Sequence, residues 1–355
     1  MLATDRTTLA QFLVEETQSR PGDPSTLVGL LLDVAQACKI IAKLIAMGQL
    51  AGVHGYNGET NVQGETQARL DLLSNQAFIR ATERTGHVAG LASEEMEEIY
   101  NLTRPHGRGN LLLTFDPLDG SSNIDTNGTV GSIFSILPFE GGEREPETQD
   151  FLRPGRDQVA AGYALYGPST MFVLTIGAGV HGFTLDPLLG DFVLTHPGMT
   201  VAPATAEFAI NASNRRFWEP PIHLYVNELL AGATGVRGKD YNMRWIAALV
   251  ADCHRILLRG GIYLYPRDTK PPVKAGRLRL LYEGAPIAML MQQAGGRCIT
   301  GLDEVLDIQP TALHQRVPLI FGSSDEVDRV EALHRHPDTV ESITPLFGQR
   351  GLFRD

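Results

Sequence analysis

The sequence predicts a layered protein of α/β or α+β class. Three observations carry that expectation. Apolar residues recur at helical spacing in the N-terminal part, short apolar runs between turn residues follow from Leu111, and helix-like and strand-like stretches alternate after about residue 200. With 355 residues, the chain is long enough for two domains, and it needs no disulfide or metal merely to bury a core.

The elements are read in chain order. Leu27, Leu30, Leu31, Val34, Cys38, Ile41 and Ile45 form one helical face, and Gly48 then stops it. Leu70, Leu73, Ala77 and Phe78 mark a second helix face. Val88 to Ala92 is an apolar stretch that reads as a strand, and so is Leu111 to Phe115. Val130 to Leu137, Val159 to Leu165, Met171 to Ile176, Val180 to Leu185 and Phe192 to Thr195 follow as strands. Glu140 to Asp157, rich in Gly, Pro and charge, reads as a mobile loop. Further on, Pro221 to Leu230 and Arg244 to Leu258 read as helices, and Ile262 to Tyr265 and Leu278 to Tyr282 as strands. Pro286 to Ala294 reads as a helix opened by proline and closed by Gly295-Gly296. Leu319 to Phe321 is a last strand before a helix near Glu326 to Leu333.

Composition narrows the function. Lys plus Arg total 30 and Asp plus Glu total 41, a net charge of −11. Such a balance, with no basic stripe, argues against nucleic acid as a partner. The 43% hydrophobic and 20% charged fractions exclude disorder, collagen and coiled coil. Cys38, Cys253 and Cys298 are widely spaced, form no paired framework, and read as small buried residues in a reducing compartment. Met1 to Glu16 is polar and has no signal-type apolar stretch. No run reaches the roughly 18 apolar residues of a membrane span, so a cytoplasmic protein without membrane contact is expected. The sequons at Asn101, Asn127 and Asn211 are then chance matches.

The chemistry is concentrated in Phe115-Asp116-Pro117-Leu118-Asp119-Gly120-Ser121-Ser122-Asn123-Ile124-Asp125. Two carboxylates stand three apart at the end of a strand, followed by a Gly-Ser-Ser turn with free N–H groups and hydroxyls. A helix starting there would offer an anion site. Carboxylates repel phosphate unless cations lie between them, and hard oxygen ligands suit Mg²⁺ or Mn²⁺. The plainer alternative is two turn residues. Three further acid-bearing stretches favour the metal-bridged phosphate site: Ser93-Glu94-Glu95 after an apolar strand, Leu70-Asp71-Leu72, and Leu280-Leu281-Tyr282-Glu283. The plain alternative for Ser93 to Glu98 is a capped helix start.

On these residues the sequence resembles the class I fructose-1,6-bisphosphatase family, within the lithium-sensitive, inositol-monophosphatase-like phosphatase superfamily. The resemblance runs from about Leu27 to Leu333 and includes Tyr163 to Gly167 and Leu278 to Glu283. It implies a layered αβαβα fold. Residues 1–200 would carry the metal and 1-phosphate site in the equivalent of the allosteric domain, and 201–355 the sugar and 6-phosphate site. It implies hydrolysis of fructose 1,6-bisphosphate to fructose 6-phosphate, in gluconeogenesis or a carbon-fixation cycle. By similarity Glu94, Asp116, Asp119, Glu283 and the carbonyl of Leu118 would hold two or more Mg²⁺ ions, with Mn²⁺ a substitute. Asp71 and Glu95 resemble the pair that activates water. Asp119, Gly120, Ser121 and Ser122 would meet the 1-phosphate. Asn211, Arg244, Trp245, Tyr263, Tyr265 and Arg277 would line the sugar and 6-phosphate site, with Arg244 reaching a neighbouring subunit of a homotetramer.

The sequence also departs from the family's pattern. Arg277 stands for lysine, Trp245 and Asn214 for tyrosines, and Gly284-Ala285-Pro286 for a stretch with Asn-Pro. These changes keep sedoheptulose 1,7-bisphosphate open as a second or preferred substrate. Another sugar or inositol phosphatase of the superfamily is the near alternative. A two-metal nuclease is disfavoured by the acidic charge, and a non-enzymatic sensor by the presence of Asp71 and Glu95. No added cysteine-bearing loop for thiol regulation is present.

Pro24-Ser25-Thr26-Leu27 stands where family members with an AMP site carry Thr-Gly-Glu, and Asn110-Leu111 replaces a Lys-Tyr pair. Leu111 offers no side-chain hydrogen bond to a nucleotide. AMP is therefore expected to inhibit weakly or not at all; a phosphate-release assay showing strong noncompetitive inhibition at micromolar AMP would contradict this.

Overall fold

A computed structural model describes residues 6–18, 24–51, 56–60, 66–102, 109–142 and 144–336. Its layers follow from strands that are apolar on both faces. In the N-terminal half the elements are α1 (Leu9–Thr17), α2 (Ser25–Met47), β1 (Tyr56–Thr60), β2 (Thr66–Ala68), α3 (Arg69–Thr82), β3 (Val88–Ser93), β4 (Tyr100–Asn101), β5 (Leu111–Asp119) and β6 (Val130–Pro138). Then come α4 (Thr148–Phe151), β7 (Ala160–Tyr166), β8 (Thr170–Thr175), β9 (His181–Asp186) and β10 (Asp191–His196). Eight of these strands form one sheet in the order β10-β9-β8-β7-β6-β5-β3-β4. Only the β3–β5 pair is parallel in it.

The second half holds β11 (Glu207–Ile210), α5 (Pro220–Leu230), β12 (Asn242–Met243), α6 (Leu249–Arg259), β13 (Ile262–Tyr265), β14 (Leu278–Arg279) and α7 (Ala285–Gln293). It closes with β15 (Arg297–Ile299), β16 (Arg316–Val317), β17 (Leu319–Gly322) and α8 (Ser324–Arg335). Its sheet has five strands in the order β12-β11-β13-β17-β15.

Alternation assigns each side chain to a layer. Phe134, Ala164 and Phe172 point to α1, α2 and α3, whereas Ile133, Tyr163 and Val173 point to α6 and α7. In the second sheet Ala209, Tyr263 and Phe321 face α6 and α7, and Phe208, Ile262, Leu264 and Ile320 face α5 and α8. The order of layers is thus helix, sheet, helix, sheet, helix, as expected. The middle helices bury apolar surface against both sheets and hold the two halves together. Among the described residues, no helix is long and apolar enough to cross a membrane. All three cysteines are buried and unpaired.

Four expectations change. The helix read from Arg244 begins only at Leu249: Ala247 has φ 64° and Ala248 is extended, so the chain turns before it winds. The strand read over Leu278 to Tyr282 stops at Arg279, and a π-helical turn, Leu280–Gly284, follows. Part of the stretch read as a mobile loop is anchored, because Phe151 of α4 is fully buried. Ser93 caps no helix; its hydroxyl accepts the N–H of Glu95 at 3.3 Å in a turn. The sequence reading also passed over α1, which Thr8 and Gln11 open with reciprocal capping bonds.

Phe78 of α3 and Phe115 of β5 stack at 4.5 Å and 11°, both fully buried. Phe78→Ala is expected to cost about 3–5 kcal/mol of stability. Urea unfolding checks it, and a loss under about 1 kcal/mol would show that this stack does not tie helix to sheet.

Candidate active site

The site begins with a parity change in β5. In a regular strand, residues three apart point to opposite faces. Here Asp116 lies opposite Ile133 and Asp119 opposite Gly131, so three steps on β5 match two on β6. The extra residue is a bulge, and it turns both carboxylates to the same side. Asp116 Oδ1 accepts the N–H of Leu118 at 2.9 Å, and the carbonyl of Pro117 accepts the Ser132 hydroxyl at 2.7 Å. Leu118 is buried inside the bulge.

Two further elements bring their groups to that side. The N-terminus of α6 points at Asp119, whose Oδ2 accepts the N–H of Val250 at 2.8 Å. A helix end has unsatisfied N–H groups, and a carboxylate satisfies them well. Gly131 permits this approach, since a Cβ there would lie 2.3 Å from the Ala164 carbonyl and 2.5 Å from the Val250 side chain. The π-helical turn before α7 carries Glu283, whose Oε2 accepts the N–H of Arg279 at 2.6 Å. Asp116, Asp119 and Glu283 thereby offer oxygen atoms that all lie within 4.8 Å of one another.

Such crowding has an electrostatic consequence. Burial is the main cause that lifts the Asp116 carboxyl well above the usual range, and Glu94, Asp119 and Glu283 add repulsion. Burial pushes Asp119 up to about 7, although the N–H groups of Val250 and Leu249 pull it down. Glu283 is pushed up to about 8 by burial and Glu94, against the pull of Arg279. Glu94 follows β3, touches Asp116, and pairs with Arg279 Nη1 at 2.5 Å. Four acids thus face one buried arginine, which favours recruitment of a cation. An all-oxygen, carboxylate-rich donor set fits a hard divalent ion such as Mg²⁺ or Mn²⁺.

The remaining predicted residues fall into two places. Asp71 is buried in the first turn of α3 and Glu95 follows Glu94, both outside the group of three. Gly120 takes a left-handed φ of 76° and starts a 3₁₀ turn, Ser121–Thr126, rather than a long helix. A Cβ at Gly120 would meet that of Ala248 at 2.7 Å, so the turn packs against the segment that leads into α6. Ser121 is half-buried and Ser122 exposed.

The other place is a pocket at the end of β11 and β13, lined by Asn211, Asn214, Trp218, Tyr265 and Asp268. Arg277 stands beside it, bonded to Asp268 at 2.6 Å. Trp245 stacks on Tyr263 at 5.5 Å, and Tyr263 stacks on Phe321 at 4.9 Å. Tyr263 is only 3% exposed, which makes it chiefly a core residue. Arg244 is exposed on the irregular segment before α6, with Nε 3.7 Å from Glu207.

Sequence reasoning missed Arg279, Gly131, Asp268 and the α6 N-terminus. Arg279 was findable, since it lies two residues beyond Arg277 on the same alternating stretch. Gly131 and the α6 N-terminus act through contacts with distant parts of the chain, whereas Asp268 bonds to Arg277 and the Lys270 N–H nearby in sequence.

Raised carboxyl pKa values set the sign of a pH effect. Unfolded carboxyls titrate near about 4, so between there and about 8 the unfolded state binds fewer protons than the folded one. Stability of cation-free protein should therefore be full at the acid end of this window and fall as pH rises through about 7 to 8. Thermal melts after chelation check it: Asp119→Asn should flatten the fall, and an unchanged slope would contradict the assignment.

Comparison with known proteins identifies the family. The family model for the fructose-1-6-bisphosphatase N-terminal domain matches residues 7–197, and that for the C-terminal domain matches residues 201–335. The chain is 75% identical to the class 1 fructose-1,6-bisphosphatase of Rhodospirillum rubrum over the full length of both. It is 57% identical to a class 1 fructose-1,6-bisphosphatase of Methylibium petroleiphilum, covering 99% of this chain and 98% of that one. The crystal structure of Leishmania major fructose-1,6-bisphosphatase in holo form superposes with a TM-score of 0.85 at 39% identity, over 93% of this chain and 99% of that one.

Proposed function

The chain belongs to the class 1 fructose-1,6-bisphosphatase family, and from that premise we propose how its residues divide the work. The activity is hydrolysis of fructose 1,6-bisphosphate to fructose 6-phosphate and phosphate. The observation that carries the site assignment is the convergence of Asp116, Asp119 and Glu283 within 4.8 Å in a buried setting.

The family is metal-dependent. In our reading Asp116, Asp119, Glu283 and Glu94, with the carbonyl of Leu118, hold Mg²⁺, two or more ions per chain, with Mn²⁺ able to substitute. When bound, such ions stabilise charge on phosphoryl oxygens and acidify a coordinated water. Asp71 and Glu95 take the proton from the attacking water. The water oxygen bonds to phosphorus, the bond from phosphorus to the carbon-1 oxygen breaks, and that oxygen leaves as a hydroxyl by taking up a proton equivalent to the one removed from the water. Ser121, Ser122 and the N–H groups after Gly120 hold the cleaved phosphate. Arg279 holds Glu94 in place by its 2.5 Å pair.

Asn211, Tyr265 and Arg277 hold the sugar and its other phosphate, and Trp245 on Tyr263 closes that wall. Arg244 is assigned to a neighbouring subunit's site in a homotetramer. The exposed apolar side chains of Met243 and Ile246 on either side of it support that assignment. In this reading the metal site draws on both halves, Glu94, Asp116 and Asp119 coming from within 1–200 and Glu283 from within 201–355, while the sugar residues all come from within 201–355.

Asp119→Ala should lower phosphate release by at least about 100-fold while leaving the circular dichroism spectrum unchanged. Chelation should abolish turnover of the parent, and added Mg²⁺ should restore it. Turnover by Asp119→Ala within about threefold of the parent would overturn the assignment of this centre.

A further inference from the structure

The acids of the metal centre repel one another, so the backbone that carries them needs anchors that do not depend on a bound cation. Two carbonyls beside those acids lie outside the regular ladders. The Pro117 carbonyl sits in the β5 bulge, between Asp116 and Asp119, where the pairing with β6 shifts register. The Leu281 carbonyl sits in the π-helical turn, two residues before Glu283. Five residues on from Leu281 stands Pro286, which has no N–H to return a π-type bond. A buried carbonyl without a partner is costly, so each needs a donor from elsewhere.

Side-chain hydroxyls supply both. Thr114 lies two residues before Asp116 on β5 and shares its face of the sheet, opposite Ser135 of β6. Its hydroxyl donates to the Leu281 carbonyl at 3.3 Å, so the Ser135 hydroxyl, 2.9 Å away, donates to Thr114. On the other face, Ser132 donates to the Pro117 carbonyl at 2.7 Å, and the Tyr166 hydroxyl, 2.8 Å from Ser132, donates to it in turn. The order of donors is fixed, because a carbonyl only accepts and each hydroxyl has one hydrogen. Thr114 and Ser132 are fully buried, and Ser135 and Tyr166 nearly so, which keeps bulk water from replacing either donor. Both rows of hydroxyls pass through β6.

We propose that Thr114 and Ser132 are positioning residues for the metal centre: from opposite faces of the sheet they fix the π-helical turn that aims Glu283 and the bulge that aims Asp116 and Asp119. This rests on the metal-site reading above. Neither hydroxyl belongs to the donor set. Each acts through a backbone carbonyl beside the ligands, as groups that orient metal ligands do. Removing one leaves the acids themselves unchanged but frees the turn or the bulge to yield to their repulsion. The affinity for the cation then falls by more than the loss of fold stability accounts for.

The test is Mn²⁺ binding to the substrate-free protein, read from the electron paramagnetic resonance signal of free aqueous Mn²⁺. Thr114→Val and Ser132→Ala should each raise the dissociation constant by about tenfold. Thr114→Ser, which keeps the hydroxyl, should stay within about twofold of the parent. Thr17→Val is the control, because that hydroxyl is as buried and donates at 2.7 Å to the Leu13 carbonyl of α1, away from the acids. It should lower the melting temperature of the cation-free protein, as the other two do, with a dissociation constant within about twofold of the parent. Should Thr114→Val or Ser132→Ala not fold, Ser135→Ala or Tyr166→Phe takes its place, with the same direction expected. A constant within about twofold of the parent for either row of hydroxyls, or an equal loss in Thr17→Val, would overturn the proposal. A parent that binds no Mn²⁺ would overturn the metal-site reading, and this inference with it.

Discussion

Buried like charges govern this structure. Asp116, Asp119 and Glu283 converge within 4.8 Å, with Glu94 against Asp116. Water is largely excluded, so neither hydration nor distance relieves the repulsion. The surrounding elements are arranged to tolerate it. The bulge in β5 turns two acids the same way, the α6 N-terminus donates to one, and the turn before α7 donates to another. Arg279 offsets a single charge through Glu94. What remains is a strong demand for a cation, and that demand is the basis of the chemistry.

The same need explains the position of the middle layer. α6 and α7 pack between the two sheets, and each delivers a group to the carboxylates from its N-terminal end. The layer that joins the halves is therefore also the layer that builds the site. Gly131 and Gly120 are the points where side chains would block that delivery. A methyl group at Gly131 would collide with both the Ala164 carbonyl and Val250, so its effect on packing and on the site cannot be separated.

At the far end of the second half a buried acid, Asp268, is instead matched by a cation. Asp268 orders its loop by accepting from Arg277 and from the Lys270 backbone. That pairing commits one arginine to the loop. Of the departures noted in the sequence, Asn214 lines the pocket with Tyr265, Trp245 lies 6.1 Å from Tyr265, and Arg277 bonds to Asp268 of the same pocket.

Much of this was legible in the sequence. Short apolar runs marked seven of the eight strands of the first sheet and β13 and β17 of the second, but not β11, nor β4, β12 and β15, which are too short for a local pattern to single out. The Asp116 to Asp125 stretch, taken with Asp71, Glu94, Glu95 and Glu283, marked the candidate centre, because carboxylates beside an anion-holding turn call for a cation between them. The same local rules misplaced the start of α6 and the end of β14. Leu249 begins its helix where Asp119, 130 positions earlier, meets the helix end, as the Val250 bond shows. Glu283 left the strand pattern because the chain winds into a π-helical turn that points it at Asp116 and Asp119. The sequence by itself determined which residues are acidic, apolar or small, and the order of elements that follows from their spacing. Only the tertiary structure decided which acids meet and which arginine is already paired, since burial and charge separation depend on distances that no local pattern contains.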